Sequence, residues 1–179
     1  MEHYIISSGL REIIEGTAIA KDFTHIYASS FYYNEHGEPC WPAQVINYTN
    51  KTQFLFRIEK GILDINDNAV NDHFVEGELR VPFRNIVYIG DSATDIPCMR
   101  LVNSLGGHSV GVYDLENTDS KDTVRRMIRD ERIRYYVPAD YTKGSEMDIL
   151  IHQIIDKTAA YEVLEEKHLR DRKEAVSLK

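Results

Sequence analysis

Apolar and polar positions divide the chain into strand-like and helix-like stretches in a regular order. Tyr4-Ile5-Ile6 is a short apolar run closed by Ser7-Ser8-Gly9, after which Leu10, Ile13 and Ile14 recur at helical spacing; this predicts strand, tight turn, helix. Residues 25–33 and 44–48 are rich in β-formers and flank 34–39, which has hairpin chemistry, so a β-hairpin flap is expected over about 25–48. A helix begins near Asn50 with Phe54, Leu55, Ile58 and Ile62 on one face, Lys51 in its first turn and Gly61 near its stop. Residues 64–84 are polar and predict a loop with short regular pieces.

The second half is clearer. Ile86-Val87-Tyr88-Ile89 is a continuous apolar run, as in a strand covered on both faces of a parallel sheet, and it ends at Gly90-Asp91. Ile96, Met99 and Val102 give the next segment a helical stripe, Pro97 falls in its opening turn, and Gly106-Gly107 breaks it. Strands follow at 109–113 and 134–137 around a charged helix at 120–130, and a helix from about 145 to 175 closes the chain, heavily charged from Glu162. This is βαβ alternation. It predicts one α/β domain over 1–179 with a doubly wound, mostly parallel, Rossmann-like sheet.

Composition narrows the partners. Twenty-nine acidic against 21 basic side chains give a net charge of -8, which repels nucleic acid and anionic membrane surfaces. No apolar run approaches the roughly 20 residues of a membrane-spanning helix, and Met1-Glu2-His3-Tyr4 lacks the basic start of a signal peptide. Cys40 and Cys98 fit neither a disulfide framework nor a CxxC motif, so a cytoplasmic location is the expectation. The seven histidines show no HxH or HExxH grouping that would suggest zinc.

Three segments carry candidate chemistry. Gly90-Asp91-Ser92-Ala93-Thr94-Asp95 follows a strand and opens a helix, placing two carboxylates at the sheet's carboxyl edge, where hard cations such as Mg²⁺ find oxygen ligands. The plain alternative is that Asp91 ends the strand while Asp95 favours the helix N-terminus. Ser7-Ser8-Gly9 offers a hydroxyl, a glycine that admits a ligand to the backbone, and a following helix, which together suit a phosphate; an ordinary helix cap is the plain alternative. Lys51 stands at the wrong end of its helix to serve the macrodipole, so an anion is expected beside it unless it is simply solvated.

In this order the three segments resemble the haloacid dehalogenase superfamily of phosphohydrolases, in particular its phosphoserine-phosphatase-like branch. The likeness runs over about residues 3–155: Tyr4 to Gly9 is similar to the family's second motif, Asn50-Lys51-Thr52-Gln53 to the third, and Gly90 to Asp95 to the fourth. The resemblance implies that Ser7, Ser8, Gly9 and Lys51 bind a phosphoryl group, with Ser7 and Lys51 assisting its transfer, and that Asp91 and Asp95 hold Mg²⁺. It also implies a small phosphorylated substrate and makes residues 25–48 a flap, where Phe31, Tyr32, Tyr33 and Trp41 could line an entrance. Packing of those aromatics against the domain is the preferred reading.

The family's first motif, an apolar strand ending Asp-x-Asp-x-Thr/Val that supplies the nucleophile, is absent. Leu63-Asp64-Ile65-Asn66-Asp67 has the wrong spacing, and Pro138-Ala139-Asp140-Tyr141-Thr142 offers one acid. The sequence thus resembles the C-terminal part of a longer phosphatase working through an aspartyl phosphate. In the family that missing strand lies between those at Tyr4–Ile6 and Ile86–Ile89. The expected partner is therefore an upstream segment, or a second copy of the chain across the gap. A non-catalytic phosphate-binding or regulatory module of the same fold is the alternative, and an unrelated doubly wound domain without a GxGxxG ranks below both.

Overall fold

In the computed structural model, which describes residues 1–177, the strands form two separate three-stranded sheets. The first contains β1 (Tyr4–Leu10), β2 (His25–Tyr33) and β3 (Pro39–Gln44) in that order, with β1 parallel to β2 and β3 antiparallel to it. The second, wholly parallel, contains β4 (Val87–Gly90), β5 (His108–Tyr113) and β6 (Tyr135–Pro138). The helices are α1 (Arg11–Glu15), α2 (Thr52–Lys60), α3 (Ile96–Ser104), α4 (Thr118–Arg129) and α5 (Glu146–Ser177). The protein is thus mixed α/β. The Rossmann-like sheet expected with a strand missing between β1 and β4 is two separate sheets here, and β1 and β4 each end their own sheet without pairing with one another.

The second sheet shows why alternation of strands and helices predicts layers. All six residues of β5 are buried. Val110 and Val112 pack with Val137 against Met147 and Ile154 of α5, whereas Tyr113 joins Cys98, Met99 and Val102 of α3 and Val124 and Met127 of α4 on the other side. Gly111 permits that close approach, since a Cβ there would stand 2.6 Å from Ile133 Cδ1 and 3.2 Å from Val124 Cγ1. Helices on both faces of a parallel sheet are the local form of double winding.

In the first sheet, Tyr27 of β2 packs with Phe54 and Ile58 of α2 and with Ile46, while Tyr4 and Ile6 of β1 lie against the same cluster. Leu55, on the adjoining flank of α2, belongs instead to the second sheet's core, and Ile6 touches that core too. Helix α2 is therefore the shared wall of the two halves. It ends at Gly61, whose left-handed φ of 75° and the Ile62 N–H to Arg57 C=O bond close the helix as the sequence suggests. The polar stretch beyond it is organised from inside. Buried Arg57 donates to the carbonyls of Asp64 at 2.6 Å and Ile65 at 2.8 Å, so this loop contains 3-10 turns without a strand.

Four expectations need correction. The second hairpin strand runs over Pro39–Gln44, earlier than the anticipated 44–48, because Tyr32 and Trp41 pair across the ladder. Strand β4 is not covered on both faces: Tyr88 is buried but Ile89 is 41% exposed, as suits an edge strand. Ser7-Ser8-Gly9 continues β1, with a ladder slip between Ser7 and Leu10, and α1 has five residues, none of them buried. The hairpin aromatics are exposed, Trp41 by 72% and Tyr32 by 63%, so packing against the domain does not account for them.

Candidate functional site

Lys51 precedes the first residue of α2, where the positive end of the helix dipole repels an ammonium group. Its Nζ nevertheless lies buried, 2.7 Å from Asp95 Oδ1, with the two side chains only 7% and 9% exposed. The expected anion beside Lys51 is therefore Asp95, from the turn after β4. A buried charged pair needs its remaining lone pairs satisfied. Tyr88 OH donates to the same oxygen at 2.9 Å, and Ser92 Oγ donates to Oδ2 at 3.2 Å.

The local chain geometry explains how Asp95 reaches inward. Gly90 ends β4, Ser92 is extended, and residues Ala93–Asp95 form a 3-10 turn before α3. Asp95 occupies the position preceding α3, where its charge suits the helix N-terminus, but its side chain makes no capping bond and turns to Lys51 instead. The inward turn requires the glycine: a Cβ on Gly90 would stand 2.8 Å from Asp95 Cβ, Cγ and Oδ2. Tyr88, one turn of strand earlier, faces the same carboxylate. Burial pushes its hydroxyl far above the usual phenol range, with the nearby Cys98 and Asp95 adding to the shift, so it acts as a fixed neutral donor. Sequence reasoning passed over Tyr88. The available signal was a tyrosine within an otherwise aliphatic buried run, since a buried hydroxyl demands a partner.

Asp91 has a different environment. It is exposed at the end of β4, and its charge helps raise the pKa of Tyr141, chiefly raised by burial, which brings the loop after β6 to the same edge. Asp140 in that loop is turned away into its own backbone, accepting from Thr142 N at 2.9 Å and Thr142 Oγ1 at 2.7 Å. Those bonds hold its carboxyl below the ordinary range. Asp64 likewise accepts from Asn66 N at 2.9 Å within a loop. Neither acid mimics a strand-end nucleophile. Cys98 offers none either, because burial raises its thiol to about 11.

Ser7, Ser8 and Gly9 lie at the carboxyl end of β1. Ser7 Oγ accepts the Gly9 N–H at 3.0 Å, and the Ser8 carbonyl accepts Ser29 Oγ at 3.2 Å. Neither serine caps α1, which begins after Leu10. Among the described residues no hydrogen bond links this segment to Lys51, Asp91 or Asp95. Their association rests on Ile6, next to Ser7, which packs against the cluster holding Leu55 and Tyr88. The structure thus joins Lys51 directly to Asp95, keeps Asp91 in the same turn, and sets Ser7–Gly9 on the neighbouring sheet.

The donor set fits a magnesium ion only partly. Mg²⁺ favours one or two carboxylates completed by waters or phosphate oxygens. Asp91 is available, but Asp95, expected as a second ligand, is the partner of Lys51. No group of three or more His, Cys, Asp or Glu side chains occurs among the described residues. Nor is any helix among them long and apolar enough to cross a membrane.

No protein-family model matches the chain, and no solved structure matches it. An uncharacterized protein of Borreliella burgdorferi is 25% identical over 158 residues, covering 80% of this chain and 54% of that relative. The chain therefore spans about half the length of the curated relative it matches, a similarity that carries a shared sequence pattern and no activity.

Proposed function

We propose that this chain is the phosphate- and metal-binding portion of a Mg²⁺-dependent phosphomonoester hydrolase of the haloacid dehalogenase type. The observation that carries the reading is the buried Lys51–Asp95 pair, with Asp91 exposed four residues before Asp95 at the carboxyl end of β4. An ammonium held by one carboxylate retains two N–H donors for the oxygens of a small phosphorylated substrate. Asp95 then serves as a positioning residue, and Asp91 is the side chain that would hold Mg²⁺, whose contribution would be to offset phosphoryl charge. Ser7, with the backbone at Ser8 and Gly9, supplies further donors from β1. Because Asp91 is the carboxylate of this turn not engaged by Lys51, completion of the cation's shell falls to the substrate and to added polypeptide.

That polypeptide is an upstream segment that supplies a strand between β1 and β4 and carries the missing aspartates; a second copy of the chain could cover the open edges but not supply those acids. The division into two sheets supports this, as do the open edges of β1 and β4. Without an in-line nucleophile, positioned charge gives little turnover.

Calorimetric titration with inorganic phosphate in the presence of Mg²⁺ tests the pocket directly. Saturable binding is expected, weakened about tenfold or more by Lys51→Met and made independent of Mg²⁺ by Asp91→Asn. Joined to an upstream strand that carries an Asp-x-Asp motif, the protein is expected to hydrolyse p-nitrophenyl phosphate, and the chain alone to do so negligibly. Phosphate binding that ignores both substitutions would overturn the pocket. Phosphate binding without hydrolysis by the longer protein would leave the non-catalytic module as the function.

A further inference from the structure

Helix α5 leaves the domain part of the way along its length. Its inner face supplies Met147 and Ile154 to the second sheet's core, but from Glu166 to Ser177 every residue is exposed. Helices in proteins are held chiefly by the packing of one face, so a tail of this kind calls for a surface to lie on. The outward face of α5 has the pattern of such a surface. A line of positions starts at Ile149 and advances by four and three residues alternately to Glu174, the spacing of a coiled-coil seam, and every position on it is exposed. Its large apolar members stand open to water: Ile149 is 51% and Val163 66% exposed, and Leu164 beside the line is 71% exposed.

The charges on this line decide what can cover it. When two copies run antiparallel about a two-fold axis between Ala160 and Val163, Asp156 faces Lys167 of the second copy, Gln153 faces Arg170, Ala160 faces Val163, and Ile149 faces the aliphatic stem of Glu174. The symmetry makes each of these contacts twice. A parallel pair in register would instead set Asp156 on Asp156, Lys167 on Lys167 and Arg170 on Arg170, with repulsion in each layer. Lys167 Nζ already donates to both carboxylate oxygens of Asp171 on its own helix, which leaves its third N–H for Asp156 of the second copy. The antiparallel arrangement also brings the exposed tail of each copy alongside a groove of about 450 Å³ that lies open between β6 and α5, with Tyr135, Ile149 and Gln153 in its wall.

We propose that the outward face of α5 is a homodimer surface, on which a second copy of the chain binds antiparallel through Ala160, Val163 and the two Asp156–Lys167 pairs. Each tail then packs on the outer face of the other copy's α5 and covers its Ile149. The inner face of the helix stays with its own sheet, so association needs no rearrangement of the core. The inference does not rest on the phosphoryl reading, and its surface is separate from the open edges of β1 and β4.

Sedimentation equilibrium of the whole chain tests it. A monomer–dimer equilibrium is expected between about 1 and 200 µM chain. Val163→Glu, at an exposed position, is expected to weaken association about tenfold or more while the thermal midpoint of the dilute protein is retained. Asp156→Lys and Lys167→Glu give the decisive comparison. Each alone sets like charges together in two layers of the homodimer and is expected to remain monomeric over the same range. In a one-to-one mixture of these two variants every charged layer is complementary again, and a heterodimer is expected to form. The proposal is overturned if the unsubstituted chain stays monomeric throughout that range, if it dimerises and Val163→Glu leaves the dimer unweakened, if either charge variant alone dimerises as the unsubstituted chain does, or if their mixture stays monomeric. A dimer held instead by the edges of β1 and β4 would ignore all three substitutions.

Discussion

Each sheet is held together internally by one kind of force, and the two sheets are joined to one another by another. Inside a sheet the strands are linked by backbone ladders: five residue pairs register β1 against β2, and four register β4 against β5. Between β1 and β4 there is no ladder. What crosses is side chain: the Lys51–Asp95 ion pair, the packing of Ile6 and Leu55 into the second core, and an ion pair between Arg80 and Glu2. A ladder is made by every residue and tolerates changes of side chain, whereas a join made by a few side chains can be broken by one. The candidate chemistry of this protein sits on the breakable part.

The largest effect is expected at Asp95. Asp95→Ala leaves the Lys51 ammonium buried beside Tyr88 without its counter-charge, which costs about 3–5 kcal/mol. Urea denaturation measures it directly, and a loss below about 1 kcal/mol, as for an exposed pair, would show that the join does not depend on this contact. Gly90→Ala comes next. It leaves every charge in place but forces a methyl group against Asp95, and overpacking of this kind costs about 1–3 kcal/mol. If Gly90→Ala folds with full stability, Asp95 has another resting place, and the fixed geometry assigned to Lys51 is wrong.

The two kinds of linkage also differ in how far they could be read from sequence. The parallel half was legible because burial on two faces writes itself as apolar runs: the strand and helix order from β4 to α5 follows the pattern to within about two residues. The first half was less so. The strand pairing of Tyr32 with Trp41 could not be inferred from composition, so β3 was placed late. Ser7–Gly9 looked like a turn because serine and glycine are weak strand formers, yet β1 runs through them: Ser7 pairs with Ala28 and Leu10 with Ser29, and Ser8 and Gly9 bulge between those pairs. At the site, Lys51 and an anionic neighbour were foreseeable from a lysine at a helix start. That the anion is Asp95, 44 residues away, depends on a tertiary contact that no local pattern encodes.

Tyr88→Phe sharpens the comparison with a smaller change, since it removes one donor to Asp95 and keeps the packing. A hydrogen bond to a charged group is worth about 1.5–3 kcal/mol, and with Lys51 and Ser92 still bonded the low end is expected at neutral pH. The pH dependence has a definite sign. The folded-state pKa of Tyr88 lies above its unfolded value of 10.0, so its contribution is complete below that value and is lost as pH rises past it, when the unfolded chain ionises and the folded one cannot. Wild type and variant therefore converge in stability above about pH 10. Tyr4 and Tyr27, both pushed up to about 12, keep a residual alkaline slope in the variant. An unchanged gap between the two proteins at alkaline pH would mean that Tyr88 is free to ionise in place.

Arg80→Ala is expected to do least, and for that reason it is the control on the whole comparison. Its guanidinium pairs with Glu2 across the same junction that Lys51 and Asp95 span, but the two side chains are 48% and 35% exposed. Water already solvates both ions, and ordering two flexible side chains offsets what the contact returns. The urea midpoint of Arg80→Ala is therefore expected to match wild type at moderate salt. A clear loss would mean that any charge pair bridging the sheets matters, whether buried or not, and the special status of Lys51–Asp95 would then rest on position alone. Equality would leave burial as the property that turns a contact between the sheets into a structural joint.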